Sequence, residues 1–134
     1  MKVGVCIKRV PGSDSRISVT DAASGPDLSG VGWEVNPYDS FAIEAAIQLQ
    51  EASVASDVVV FSVCGADGDA KIRDALAMGK KGQSGASKAV RLDDPAFEGS
   101  DSLGIARILA AAMSKEGVDI VLAGRQSIDG DSSQ

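Results

Sequence analysis

The chain has 134 residues, a formal net charge of -6 and no histidine, and these facts exclude several classes of function. Without histidine, the chain cannot itself supply a Ser-His-Asp triad or a histidine-ligated zinc site. Its two cysteines, Cys6 and Cys64, cannot hold an iron–sulfur cluster, and they favour reduced thiols in the cytoplasm. The acidic balance argues against nucleic acid or an anionic membrane surface as a partner.

Length and hydropathy predict one domain. No apolar run approaches the roughly 20 residues that a membrane helix needs, and the first residues lack the apolar core of a signal peptide. A chain of this length has room for one real hydrophobic core and little more. We therefore expect residues 1–134 to form a single domain, without membrane insertion, in the cytoplasm.

The predicted elements alternate between strands and helices. In chain order they are a strand over 2–10, a loop over 11–32 with a small β-hairpin built on pieces at 17–20 and 33–35, a helix over 37–52, a strand over 57–63, a helix over 67–78, a strand over 88–92, a helix over 101–117 and a strand over 118–123. The strand over 57–63 is apolar almost throughout, which is typical of a strand covered on both faces. This alternation predicts an α/β fold with a doubly wound, mainly parallel, Rossmann-like sheet and helices on both faces.

The segment from Asn36 to Asp39 predicts the start of the first helix. It places Asn at the N-cap, Pro at the first helical position and an acid in the first turn. Apolar residues then recur every fourth position and predict the stripe that packs on the sheet, namely Phe41, Ala45 and Leu49, together with Ile43 and Ile47.

Polar residues follow the predicted strands at the edge where doubly wound sheets bind ligands. If the first and fourth strands are neighbours, one pocket collects Lys8, Arg9, the turn at Asn36 and the polar segment 124–134. Such a pocket suits an adenine nucleotide. Arg125 would neutralise phosphate there, and Ser132 and Ser133 would donate hydroxyl hydrogen bonds.

The same residues also have plainer structural explanations. Lys8 and Arg9 are typical of a solvated strand end, and Asn36 is explained as a helix cap. Cys6 and Cys64 suit the role of small apolar residues in buried strands. The chain has neither a G-x-G-x-x-G motif after its first strand nor a G-x-x-x-x-G-K-[ST] motif. These patterns alone indicate only an α/β domain of nucleotide-binding type.

Four motifs together resemble the β subunit of electron transfer flavoproteins, a family that includes the FixA proteins. They are Ile7-Lys8-Arg9-Val10, Asn36-Pro37-Tyr38-Asp39, Ala75-Leu76-Ala77-Met78-Gly79 and the segment 124–134. The resemblance covers essentially the whole chain, but only about the first half of a typical family member. It therefore implies a single adenine-nucleotide-binding domain over 1–134, truncated relative to the family, with an adenine nucleotide α-hydrolase-like fold.

The resemblance implies an electron carrier and not an enzyme. A typical family member pairs with a flavin-bearing α subunit and carries electrons from dehydrogenases, such as acyl-CoA dehydrogenase, to a respiratory or ferredoxin-linked acceptor. The β subunit holds AMP, or FAD in electron-bifurcating members. The sequence Ile128-Asp129-Gly130-Asp131 is similar to that of FixA and bifurcating members. No side chain of this chain is then expected to be catalytic, because the cofactor carries the redox chemistry.

The resemblance also implies which residues contact the nucleotide. Cys6 and Val63 would pack or offer backbone groups, while Asn36, Asp129, Ser132 and Gln134 would make polar contacts. Ser132-Ser133 departs from the Thr-Ala or Cys-Asn of other members but keeps a hydroxyl. The full set is Cys6, Asn36, Pro37, Tyr38, Asp39, Val63, Arg125, Gln126, Ser127, Ile128, Asp129, Gly130, Asp131, Ser132, Ser133 and Gln134.

Two other functions remain open at this point. One is a free-standing adenine-nucleotide-binding module resembling universal stress proteins, although the glycine-rich phosphate loop of that family is absent. The other is an adenylating or nucleotide-hydrolysing enzyme, which the lack of a convincing base makes the weakest interpretation.

Overall fold

The computed structural model describes residues 1–21, 25–79 and 84–133, and in these ranges it contains eight strands and three α-helices. The strands are β1 Lys2–Cys6, β2 Arg9–Pro11, β3 Ser18–Asp21, β4 Gly25–Asp27, β5 Trp33–Val35, β6 Asp57–Val63, β7 Lys88–Leu92 and β8 Ile120–Leu122. The helices are α1 Pro37–Glu51, α2 Asp69–Leu76 and α3 Ser102–Glu116, with short 3-10 turns at Ala66–Gly68 and Pro95–Phe97.

The central sheet is parallel and has the strand order β7-β6-β1-β8. The chain builds outward from β1 through β6 to β7, and it then returns to the other side of β1 to form β8. In register, Val3 of β1 lies between Val58 of β6 and Ile120 of β8. The predicted doubly wound parallel sheet is confirmed, and the strand order reverses between β1 and β8.

Both faces of the sheet are covered by helices, which explains why β6 is apolar without alternation. On one face, alternate residues of β1 and β6 pack against α1 and α2. On the other face, Val59 and Phe61 pack against Met113 of α3. Phe61 and Ile43 are fully buried, and each such side chain contributes roughly 1.5–3 kcal/mol of burial energy.

The prediction of a single strand over 2–10 is wrong, because the chain leaves the main sheet after β1. Lys8 turns away since its carbonyl oxygen accepts a hydrogen bond from the Asn36 amide at 2.8 Å. The chain then forms β2, which pairs antiparallel with β5, while β3 pairs with β4. The predicted pieces at 17–20 and 33–35 are thus both extended, but each belongs to a different two-stranded ribbon.

The buried stripe of α1 differs from the predicted one. Ala42, Ile43, Ala46 and Ile47 face the sheet, whereas the side chain of Phe41 is 73% exposed. The two alanines have small side chains, and they allow the helix to lie close to the strands. The predicted stripe is therefore correct for Ile43 and Ile47, correct in part for the half-buried Leu49, and wrong for Phe41 and Ala45, which are exposed.

The ends of α3 follow its sequence signals. The Asp101 side chain accepts a hydrogen bond from the Gly104 amide at 2.8 Å and so caps the first turn. Gly117 ends the helix in the left-handed conformation, with φ of 67°. Within the described ranges, no helix has both the length and the apolar character that a bilayer-spanning helix needs.

Candidate functional site

A cleft of about 530 Å³ opens beyond the carboxyl ends of β1 and β8. This is the point of strand-order reversal, where open α/β sheets bind ligands. Apolar and polar side chains share its lining, which consists of Cys6, Ile7, Lys8, Asn36, Asp39, Val63, Ser100, Ser102, Ile105, Leu109, Ala123, Gly124, Gln126, Ser127, Gly130 and Ser132.

The cleft brings together eight of the residues that the sequence predicts as ligand contacts. These are Cys6, Asn36, Asp39, Val63, Gln126, Ser127, Gly130 and Ser132. Seven others lie close in sequence but outside the described lining, namely Pro37, Tyr38, Arg125, Ile128, Asp129, Asp131 and Ser133. Gln134 falls outside the described residues.

Asn36 joins three parts of the chain at the cleft. Its side chain is almost fully buried and does not cap α1, so the predicted side-chain cap is wrong. Instead, its Nδ2 donates to the carbonyl oxygen of Gln126 at 2.9 Å, and its Oδ1 accepts from the Ile128 amide at 3.1 Å. The backbone amide of Asn36 also donates to the carbonyl oxygen of Lys8, so Asn36 connects the segment after β8 to the end of β1.

Asp39 is a buried carboxylate at the same junction. The Lys8 amide donates to its Oδ2 at 2.8 Å, so its role reaches beyond that of an acid in the first helical turn. Burial raises the pKa of Asp39 above its ordinary value, although hydrogen bonds from Asn36, Lys8 and Gly124 act in the opposite direction. The carboxylate therefore ties α1 to the ends of both β1 and β8.

Gly124 allows the end of β8 to pass close to the first turn of α1. A Cβ atom at this position would lie 2.8 Å from the carbonyl carbon of Tyr38 and 2.9 Å from the amide nitrogen of Asp39. Both neighbours are backbone atoms of a helix, which cannot shift cheaply. Glycine is thus required here by close approach.

The segment after Gly124 forms a compact turn at the rim of the cleft. The Asp131 amide donates to the carbonyl oxygen of Ser127 at 2.9 Å, and Asp131 itself has a positive φ of 50°. The Gln126 side chain contacts the Asp131 carboxylate and accepts from the Ser133 hydroxyl at 2.6 Å. These bonds hold the turn together and place Ser127 and Gly130 on the cleft side.

Arg9 does not join the cleft, contrary to the prediction. Its guanidinium lies 3.8 Å from the centre of the Trp33 ring and forms an ion pair with Asp67. The pairing of β2 with β5 carries Arg9 away, since it places that residue opposite Val35. Arg125, predicted to neutralise phosphate, is an exposed side chain outside the described lining.

Sequence reasoning missed the wall that α3 supplies. Ser100, Ser102, Ile105 and Leu109 line the cleft, whereas the sequence suggests only a cap and a packing stripe for this region. A usable signal exists, because the helix that follows a parallel strand begins at the carboxyl edge of the sheet. The start of α3 was therefore bound to lie near that edge.

Cys6 provides a test of the environment within the cleft. Burial, followed by the nearby Asp39 charge, raises the pKa of its thiol from 9.0 to about 11. Above pH 9 the unfolded chain ionises this thiol while the folded chain does not, so stability falls as pH rises from about 9 to about 11. Two pKa units correspond to roughly 2–3 kcal/mol.

We expect Cys6→Ala to remove most of that alkaline loss. Urea unfolding at several pH values between 8 and 11 measures it, as the change in the free energy of unfolding with pH. Cys64→Ala is the matched control for the loss of a thiol side chain. An unchanged slope in Cys6→Ala would contradict the expected thiol burial.

The family model for the electron transfer flavoprotein domain matches residues 27–134. The chain belongs to the electron transfer flavoprotein family. Within it, the similar curated proteins are β subunits, FixA proteins and a related complex subunit, as the four sequence motifs predicted.

Three relatives show how much of the electron transfer flavoprotein sequence is present. The chain is 37% identical over 136 residues to the caffeyl-CoA reductase-Etf complex subunit CarD of Acetobacterium woodii, covering 100% of this chain and 49% of the relative. It is 38% identical over 139 residues to protein FixA of Azorhizobium caulinodans, covering 100% and 47%. It is 35% identical over 137 residues to the electron transfer flavoprotein subunit beta of Homo sapiens, covering 100% and 51%. The chain thus spans about half the length of these relatives.

Proposed function

We propose that this chain is the nucleotide-holding part of an electron transfer flavoprotein β subunit. The observation that carries the proposal is the cleft at the reversal between β1 and β8, in a chain of this family. The proposed ligand is an adenine nucleotide, either AMP or FAD. The proposed unit is one domain over 1–134, in the cytoplasm, as the free cysteines favour.

The chemistry of the cleft fits an adenine nucleotide. Ile105, Leu109 and Ala123 offer an apolar wall for a base, while Lys8 and Ser132 supply a cation and a hydroxyl for phosphate oxygens. Where FAD is the ligand, its flavin ring supplies the electron-transfer chemistry. The residues of this chain would bind and orient the ligand, with the turn over 126–131 at the rim of the cleft.

The proposed role is that of a carrier and not of an enzyme in its own right. We propose pairing with a flavin-bearing α subunit, with electrons passing from dehydrogenases such as acyl-CoA dehydrogenase to a respiratory or ferredoxin-linked acceptor. The name of the CarD relative, a subunit of a reductase-Etf complex, supports assembly with other subunits. The family match favours this role over a free-standing module resembling universal stress proteins.

Calorimetric titration of the chain with AMP, with GMP as the control nucleotide, tests the proposal. We expect saturable binding of AMP with a stoichiometry of one, and much weaker binding of GMP. Equal affinity for both nucleotides would contradict an adenine-selective cleft. Absence of binding by either would contradict nucleotide binding by this chain.

Ser132 gives a sharper test of where the nucleotide lies. We expect Ser132→Ala to weaken AMP binding by about three- to tenfold, because one hydrogen bond to a charged oxygen is lost. Ser114→Ala, an exposed serine of α3 outside the described lining, is the control and should bind like the natural chain.

The double variant of Ser132→Ala with Arg125→Ala measures the predicted phosphate contact of Arg125. A double variant no weaker than Ser132→Ala would contradict that contact.

A further inference from the structure

The Asp129 carboxylate is held at the rim of the cleft by three kinds of donor. Lys8 Nζ lies 2.7 and 2.8 Å from its two oxygens, and the Gly130 amide donates to Oδ1 at 2.8 Å. Burial alone would raise the pKa of Asp129, but hydrogen bonds from Lys8, Ser127 and Gly130 hold it below its ordinary value. The carboxylate is therefore ionised at neutral pH, and it accepts hydrogen bonds from these three residues.

The residues that donate to this carboxylate line the cleft, whereas Asp129 itself lies outside the described lining. Lys8, Ser127 and Gly130 all line the cleft. An ammonium, a hydroxyl and a backbone amide are the groups that bind phosphate oxygens in proteins. The Asp129 carboxylate is thus bound as a phosphate group would be, by donors that a ligand in the cleft could reach.

We propose that Asp129 is an internal competitor for the phosphate group of the ligand. On binding, the phosphate displaces the carboxylate from Lys8 and takes over its donors. This inference rests on the proposed function, because it requires a phosphate-bearing ligand in the cleft. The inference reverses the expected effect of Asp129 on nucleotide affinity. A residue that contacts the nucleotide would strengthen binding, whereas a competitor weakens it.

The energetics favour such an exchange. The side chains of Lys8 and Asp129 are 52% and 31% exposed, and ion pairs of this exposure are weak. A phosphate with nearly two negative charges attracts the ammonium more strongly than a single carboxylate does. Release of Asp129 costs little because water can solvate its carboxylate at the rim.

The decisive variant is Asp129→Asn, which removes the charge and keeps the shape of the side chain. We expect it to tighten AMP binding by about two- to fivefold and to leave adenosine binding unchanged, because only the phosphate competes with Asp129. Lys8→Gln should weaken AMP binding, and adding Asp129→Asn to it should bring no gain. Calorimetry with AMP and adenosine measures all four chains.

A second ion pair provides a matched control. Lys88 Nζ lies 2.8 Å from both oxygens of Glu116, and the two side chains are 52% and 26% exposed. This pair has nearly the same geometry and exposure, and neither of its residues lines the cleft. Glu116→Gln should therefore change neither AMP nor adenosine binding.

The outcomes separate this inference from the proposed function. If the natural chain binds AMP and Asp129→Asn binds it equally or more weakly, the competitor role is overturned while the nucleotide site stands. If no chain binds AMP, inorganic phosphate is titrated into the natural chain and into Asp129→Asn instead. NMR of the Gly130 amide then measures phosphate binding at this site. Tighter phosphate binding in Asp129→Asn then supports the competitor role, and equal or weaker binding overturns it.

Discussion

Replacing Asn36 with alanine is expected to lower the free energy of unfolding by about 2–4 kcal/mol and to release the segment that follows β8. The variant loses two hydrogen bonds and leaves the Gln126 carbonyl and the Ile128 amide without their partner. Both hydrogen bonds are partly buried, and a backbone group left without a partner in such surroundings costs more than the mean value of a hydrogen bond. Urea unfolding measures the loss, and AMP titration measures the accompanying loss of affinity.

Two further variants define what Asn36 does. Asn36→Asp keeps an acceptor for the Ile128 amide but cannot donate to Gln126, and it adds a charge near the buried Asp39 carboxylate. It should be destabilised as well. Gln48→Ala, an exposed amide on the same helix that bonds only to Glu44 in the described contacts, should change stability by less than about 0.5 kcal/mol. Equal stability of Asn36→Ala and Gln48→Ala would disprove the joining role of Asn36.

Gly124→Ala is expected to cost about 1–3 kcal/mol by overpacking, and to displace the end of β8 from α1. The added Cβ would meet backbone atoms of Tyr38 and Asp39 at 2.8 and 2.9 Å, so the helix or the strand must move. Such a movement also separates the Asp39 carboxylate from its partners. Thermal and urea unfolding measure the loss of stability.

Gly30→Ala is the matched control for this substitution. A Cβ at Gly30 meets nothing within 4 Å, and its backbone is not in the left-handed region. We expect its stability to equal or slightly exceed that of the natural chain, because alanine reduces the freedom of the unfolded state. If Gly124→Ala were as stable as Gly30→Ala, close approach would not be the reason for glycine at position 124.

Local patterns in the sequence predict the main sheet because each pattern reports burial along one element. The apolar run of β6 indicates coverage on both faces, and Asp101 and Gly117 mark the ends of α3 correctly. The pairing of β2 with β5 depends instead on contacts between distant residues, such as the bond from Asn36 to Lys8. No local pattern contains that information, so neither the two-stranded ribbon of β2 and β5 nor the direction of the Arg9 side chain can be predicted in this way.

The candidate site shows the same division between local and distant causes. The rule for ligand sites in doubly wound sheets predicts the location of the cleft, and the sequence motifs predict half of its lining. The roles of Asn36 and Asp39 cannot be predicted from their neighbours, because both side chains serve strands remote in sequence instead of their own helix. The same patterns that correctly place α1 therefore misassign the function of its first polar side chain.

The bond from Asn36 to the segment after β8 has a consequence for the order in which the protein folds. It joins residues 92 positions apart, and β1 can pair with β8 only when both have been synthesised. Loop closure over such distances is slow compared with helix formation. On the ribosome, β1, β6 and the first two helices can associate while the chain is still growing. The cleft then forms only after β8 has paired with β1, so a folding intermediate that contains only β1, β6 and the first two helices would lack it.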